Sequence, residues 1–252
     1  MWTADEIAQL CYAHYIKLPK QGKPEPNREW TLLAAVVKIQ TPANQACDTP
    51  DKQIQVTKEV VSMGTGTKCI GQSKMRESGD ILNDSHAEVI ARRSFQRCQE
   101  TLVLPRGFEV QELKIQQSSL LFEQSRCAVH RKRGDSPGRL VPCGAAISWS
   151  AVPQQPLDVT ANGFPQGTTK KEIGSPRARS RISKVELFRS FQKLLSCIAE
   201  DERPDSVRVQ KLDTYQEYKE AASAYQEAWS ALRRVQPFSS WIRNPPNYHQ
   251  FK

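Results

Sequence analysis

No stretch of this 252-residue chain approaches the ~18–20 consecutive apolar residues that a membrane span needs, so a helical membrane protein is not expected. The first residues, Met1-Trp2-Thr3-Ala4-Asp5-Glu6, offer neither a basic n-region nor an apolar core, and do not read as a secretory leader. The seven cysteines are odd in number, widely spaced and form no C-x-x-C pair, which argues against a disulfide framework and against a local zinc knuckle. No internal repeat or long low-complexity tract is present. The expectation is a soluble intracellular protein, nuclear or cytoplasmic, with reduced thiols and no obligate protein partner.

What is present suits a globular domain. Hydrophobic residues make up 38% and charged residues 25% of the chain, and a domain of this length can bury roughly 70–75% of its unfolded surface. The net charge of +9 is unevenly spread: residues 1–100 carry 13 basic against 12 acidic side chains, and residues 101–252 carry 23 against 15. Two runs dominate, Arg126 to Arg139 and Lys170 to Lys184. A basic half on a soluble protein fits a polyanionic partner such as nucleic acid, and equally a solvated loop surface.

Thr3-x-x-Glu6 reads as a capping box ahead of Ile7, Leu10 and Cys11, which predicts a short N-terminal helix. Residues 30–39 and 56–63 read as strands, the second ending in Gly64-Thr65-Gly66-Thr67, with a Pro-containing loop over 40–54. Asn83-Asp84-Ser85 offers N-cap residues for a helix over about 85–98. A turn is expected at 104–107, a strand over 108–116, a basic loop over 130–144, and strands over 144–152 and 157–160 closed by Asn162-Gly163. Apolar spacing marks one helix from Val185 to Ile198 and a second from Leu212 to Leu232.

The most specific local pattern is Asn83-Asp84-Ser85-His86-Ala87-Glu88. A His and a Glu two apart at a helix start match the first half of a zinc nucleobase-deaminase site, in which the His binds the metal and the Glu carries protons. The plain alternative is a capping His with Glu88 paired to Arg92 at i,i+4.

Residues 60–97, with the blocks GTGTKCI, LNDSHAE and ARRS, resemble the A-to-I RNA editase domain of the adenosine deaminases acting on RNA. Residues 215–252 resemble that family's closing helix and tail, and the middle of the chain resembles the late domain of its tRNA-acting branch. The resemblance implies a cytidine-deaminase-like three-layer α/β/α domain with a helical C-terminal region, matched by residues 1–98 and 99–252. It also implies hydrolytic adenosine-to-inosine conversion in tRNA, with His86 as a zinc ligand, Glu88 as the proton carrier, and Thr67 and Lys68 beside the nucleotide. A buried inositol hexakisphosphate is implied as well, at positions matching Asn83, Asp84, Arg92, Arg93, Lys184, Tyr215, Lys219, Tyr225 and Trp241. Trp229 and Asn244 depart from lysines that the family tends to carry there.

A catalytic zinc needs three protein ligands and an open position. The family's two cysteine segments are not visible, because the chain passes from SFQRCQETLVLPRG directly into late-domain sequence. Val141-Pro142-Cys143-Gly144 imitates one of them. It is followed by the strand-like AAISWSA instead of the helix that would favour a thiolate, so Cys143 is not expected to bind zinc. The expectation is an abbreviated domain lacking its centre at about residues 98–104, impaired or inactive in deamination and less stable where apolar surface is left uncovered.

Overall fold

Thr3 and Glu6 exchange side-chain-to-backbone hydrogen bonds at 3.2 and 3.0 Å and start α1, Ala4–Lys17, as the capping box predicts. The computed structural model describes residues 2–40, 56–98, 114–134, 137–209, 211–236, 238–240 and 245–252. The expected loop at 40–54 beyond Gln40, the join at 98–104 beyond Cys98, the turn at 104–107 and most of the strand at 108–116 lie outside these residues. Residues 114–116 form no regular element.

The strand expected over 30–39 is divided into β1, Glu29–Trp30, and β2, Leu33–Gln40. Between them Thr31, 1% exposed, donates its N–H to Gln124 O at 2.9 Å. That bond takes the chain out of one ladder and into another. β1 pairs in parallel with β6, Val141–Pro142, while β2 enters the main sheet.

The main sheet has the order β2-β3-β7-β8-β9, where β3 is Thr57–Thr65, β7 Ala145–Ser150, β8 Leu157–Ala161 and β9 Phe164–Pro165. Every pairing in it is antiparallel. The hairpin between β8 and β9 turns through Asn162 (φ 54°) and Gly163 (φ 84°), the positive-φ pair that Asn-Gly supplies at least cost. A bulge opposite Val36 and Val37 leaves Val61 as an extra residue, and the faces of β3 change over at that point. Val60 and Met63 therefore share a core with Cys11 and Tyr15 of α1 and with Ile147 and Val159.

Ser62 and Ser150 point to the opposite face, where each hydroxyl donates to a backbone carbonyl, Ala91 O at 2.9 Å and Ser94 O at 3.0 Å. Those carbonyls belong to α2, Ala87–Cys98. A sheet with α1 on one side and α2 on the other is the three-layer α/β arrangement implied by the resemblance.

Two further expectations are corrected around the candidate site and the basic run. The helix expected from residue 85 begins at Ala87, because Asp84–His86 form a short strand, β5, paired with β4, Thr67–Cys69. The expected basic loop opens with a helix, α3, Arg126–Arg133, capped by Ser125 and buried through Ala128 and Val129. Its last turn gathers His130, Arg131, Lys132 and Arg133, the sign that a helix C-terminus favours.

Beyond the sheet come α4, Lys184–Ser196, and α5, Asp205–Arg208. The expected final helix is two helices, α6, Tyr215–Ala221, and α7, Ser223–Arg233, broken where Ala222 turns to ψ 66°. A 3-10 turn, Pro246–His249, brings Phe251 onto Val185 and Phe188. No described helix is long and apolar enough to cross a membrane.

Candidate functional site: a His–Asp pair and a cation cluster

Two glycines bring the start of α2 onto the sheet. A Cβ at Gly64 would stand 2.5 Å from both Ala87 O and Ala91 N, so the helix backbone rests directly on the strand there. Gly66 has φ +134°, and a Cβ on it would lie 2.0 Å from Ser85 O. Its carbonyl accepts the Ala87 N–H at 3.1 Å. The chain then pairs Thr67 with His86, Lys68 with Ser85 and Cys69 with Asp84.

His86 is held by its own strand. Asp84 Oδ1 accepts the His86 backbone N–H at 2.9 Å and lies 2.8 Å from the ring Nδ1. A carboxylate on Nδ1 fixes the ring and leaves Nε2 as the outward nitrogen, which is how metal-binding imidazoles are supported. Glu88 stands exposed in the first turn of α2 and makes no ion pair with Arg92. Thr67 and Lys68 line a shallow cleft of about 50 Å³ together with Cys69, Ser85, Cys143 and Gly144. His86 and Glu88 do not line it. The Thr67 hydroxyl is buried there without a protein partner.

The described residues do not assemble a catalytic zinc site. Among the described residues no group of three His, Cys, Asp or Glu side chains could hold a metal. Cys143 is 4% exposed, with its sulfur 3.9 Å from Gly22 O. Burial, with Glu29 nearby, pushes its thiol above the usual range.

Of the residues implied for a polyanion, Arg93, Lys184, Lys219 and Tyr215 lie close enough to act on one another. Arg93 donates to Ile182 O at 2.9 Å, and burial lowers its guanidinium while Tyr215 and Asp84 partly offset that. Lys184 is pulled down to about 8, first by burial and then by Arg93 and Lys219. Lys219 is lowered by burial and sits 5.6 Å over the Tyr215 ring. Burial raises the Tyr215 phenol, against the pull of Arg93 and Arg92. Phe188 (5.5 Å, edge-on) and Phe251 (5.1 Å, stacked) fix that tyrosine between α4 and the C-terminus. Trp229 donates to the Tyr225 hydroxyl, and Arg233 lies 5.3 Å over the Trp229 ring. The Asn83 side-chain oxygen is buried without a partner. Burial, with repulsion from Arg93 and Lys219 at Lys184, disfavours these positive charges, a cost that a bound anion would offset. Trp241 and Asn244 lie outside the described residues.

One member of the cluster has no signature in the sequence. His249 sits in an irregular tail, and only folding places it beside Lys184 and Lys219.

The chain matches the adenosine-deaminase (editase) domain family in two pieces, residues 62–98 and 95–245. It is 46% identical to tRNA-specific adenosine deaminase 1 of Mus musculus and 42% identical to that of Homo sapiens, with all of this chain and all of each relative covered. The first of these alignments runs over 499 positions against the 252 residues here, so a large part of the relative has no counterpart in this chain. A double-stranded RNA-specific editase of Drosophila melanogaster is 51% identical over 90 residues, 36% of this chain and 11% of the relative.

Proposed function

This chain belongs to the adenosine-deaminase (editase) domain family, and we propose that it is a tRNA-binding member that keeps an inositol hexakisphosphate site but cannot complete a zinc centre. The substrate class follows the relatives named as tRNA-specific adenosine deaminases, whose reaction replaces the adenine amine with oxygen and releases ammonia. The observation that carries the reading is the donor set around His86. The ring is braced by Asp84, yet no second and third ligand stand near it among the described residues. Glu88 would carry protons only beside a metal-activated water, and no hydrolytic step is assigned to this form.

The inositol phosphate would be held by Arg93, Lys184, Lys219 and Tyr215, with Arg92, Tyr225, Asn83, Asp84 and Trp241 as the remaining positions implied by the resemblance. Bound there, it supplies negative charge to a buried cationic centre. Thr67 and Lys68, in the cleft, remain the residues for a nucleotide of the tRNA. A tRNA-facing surface on α3 is supported by Arg126, His130, Arg131 and Lys132, all exposed.

The test is metal content and turnover on the purified full chain. The expected result is far less than one zinc per chain after gel filtration, no inosine in incubated tRNA, and tRNA binding that weakens as salt rises. Stoichiometric zinc with ammonia release would overturn the reading and bring Cys143 back as a ligand. Failure to unfold cooperatively would instead mark an unproductive chain.

A further inference from the structure

His249 is 8% exposed, at the end of the 3-10 turn Pro246–His249, with its ring 5.5 Å from Tyr215 in an edge-on contact. Two elements direct charge at it, Lys184 from the first turn of α4 and Lys219 from α6. Tyr215, also from α6, presents its aromatic ring. Among the described residues no carboxylate acts on the imidazole. Arg93 and Lys219 act in turn on Lys184, so His249 shares its two cations with the Arg93–Lys184–Lys219 cluster.

Resting on that reading of the cluster, we propose that His249 is a further ligand of the bound polyanion and binds it as an imidazolium, so that loading the site draws a proton onto the protein. The physical reason is the sign of the local field. Without an anion, burial and the two ammonium groups disfavour a charge on the ring and hold His249 down to about 4, so it is neutral at pH 7. A ligand carrying several phosphate groups reverses that field. An imidazolium then gains a charge-assisted hydrogen bond to a phosphate oxygen, and the cost of charging it beside Lys184 and Lys219 disappears. Lys184, at about 8, is already mostly protonated at pH 7, so the proton taken up at that pH belongs chiefly to the histidine.

Calorimetric titration of the full chain with inositol hexakisphosphate at pH 7, repeated in buffers of different ionisation heat, measures the protons exchanged. Protons lost by the ligand itself are common to every variant, so the readout is the difference between wild type and His249→Gln. Wild type should take up about one proton more than His249→Gln, and the variant should bind roughly tenfold more weakly through loss of one charge-assisted bond. A second readout needs no substitution for its principal result. Of the four histidine ring signals in the NMR spectrum, one titrating near pH 4 in the ligand-free chain should titrate above pH 7 once the ligand is added. Tight binding with equal proton exchange in both proteins, or with no histidine signal moving, overturns this proposal and leaves the anion site standing. Absence of any binding heat overturns both.

Discussion

The Asp84 carboxylate accepts two bonds from a single residue, the His86 backbone N–H at 2.9 Å and the His86 Nδ1 at 2.8 Å. It also partly offsets the charge of Arg93, so one side chain links the candidate metal-binding histidine to the cation cluster. Asp84→Ala should therefore cost about 1–3 kcal/mol, a drop of several degrees in melting temperature for a chain of this size. His86→Ala should cost clearly less. Equal melting temperatures for Asp84→Ala and wild type would refute the linkage.

Gly64 is where α2 rests on β3, with helix backbone atoms 2.5 Å from the position a Cβ would occupy. Backbone cannot swing aside as a side-chain tip can. Gly64→Ala should lower stability in urea by about 1–3 kcal/mol, the usual cost of overpacking. Gly71→Ala, which meets nothing within 4 Å, should fall within about 0.5 kcal/mol of wild type.

Without an anion, the cluster makes stability depend on pH in two windows. His249 is depressed to about 4 from an ordinary 6.5, so the unfolded chain binds its proton more readily. Stability should fall, by on the order of 3 kcal/mol, as pH drops from about 6.5 to 4. Lys184 is depressed from 10.5 to about 8, and by the same sign stability should rise as pH climbs from about 8 toward 10.5. Inositol hexakisphosphate should flatten both slopes and raise the melting temperature at pH 7, worth about 2.7 kcal/mol at a ligand concentration one hundred times its Kd. Thermal melts across pH with and without ligand check each part.

Phosphate neutralisation leaves its mark in salt dependence. Replacing Arg126, Arg131 and Lys132 of α3 with alanine should weaken tRNA binding and flatten the log–log salt plot by roughly 0.7–0.9 for each phosphate no longer neutralised. Neutralising Lys170, Lys171 and Arg177 in the other basic run is the comparison. An unchanged slope in the α3 variant would move the RNA surface elsewhere.

Local chemistry wrote several features directly into the chain. Thr3 and Glu6 start α1, Asn162-Gly163 turns the β8–β9 hairpin, and the apolar stripe through Val185 and Phe188 forms α4, each from residues no more than a few positions apart. His86 and Glu88 stood out for the same reason, since their meaning lies in a spacing of two. Tertiary structure decided the rest. The break at Thr31 depends on the carbonyl of Gln124, far along the chain. Asn83-Asp84-Ser85 reads as a set of helix caps, but a strand pairing with Thr67–Cys69 outcompetes capping once Gly66 has turned the chain back. The cation cluster is a mixed case, since the resemblance marked Arg93, Lys184 and Lys219 while His249 joins them only in the fold. Arg93, Lys184, Lys219 and His249 are scattered over more than 150 positions, and each taken alone is an ordinary polar side chain. What makes them a site is burial and mutual repulsion at close range, energies that depend on distance and solvent exclusion and so exist only after the chain has folded.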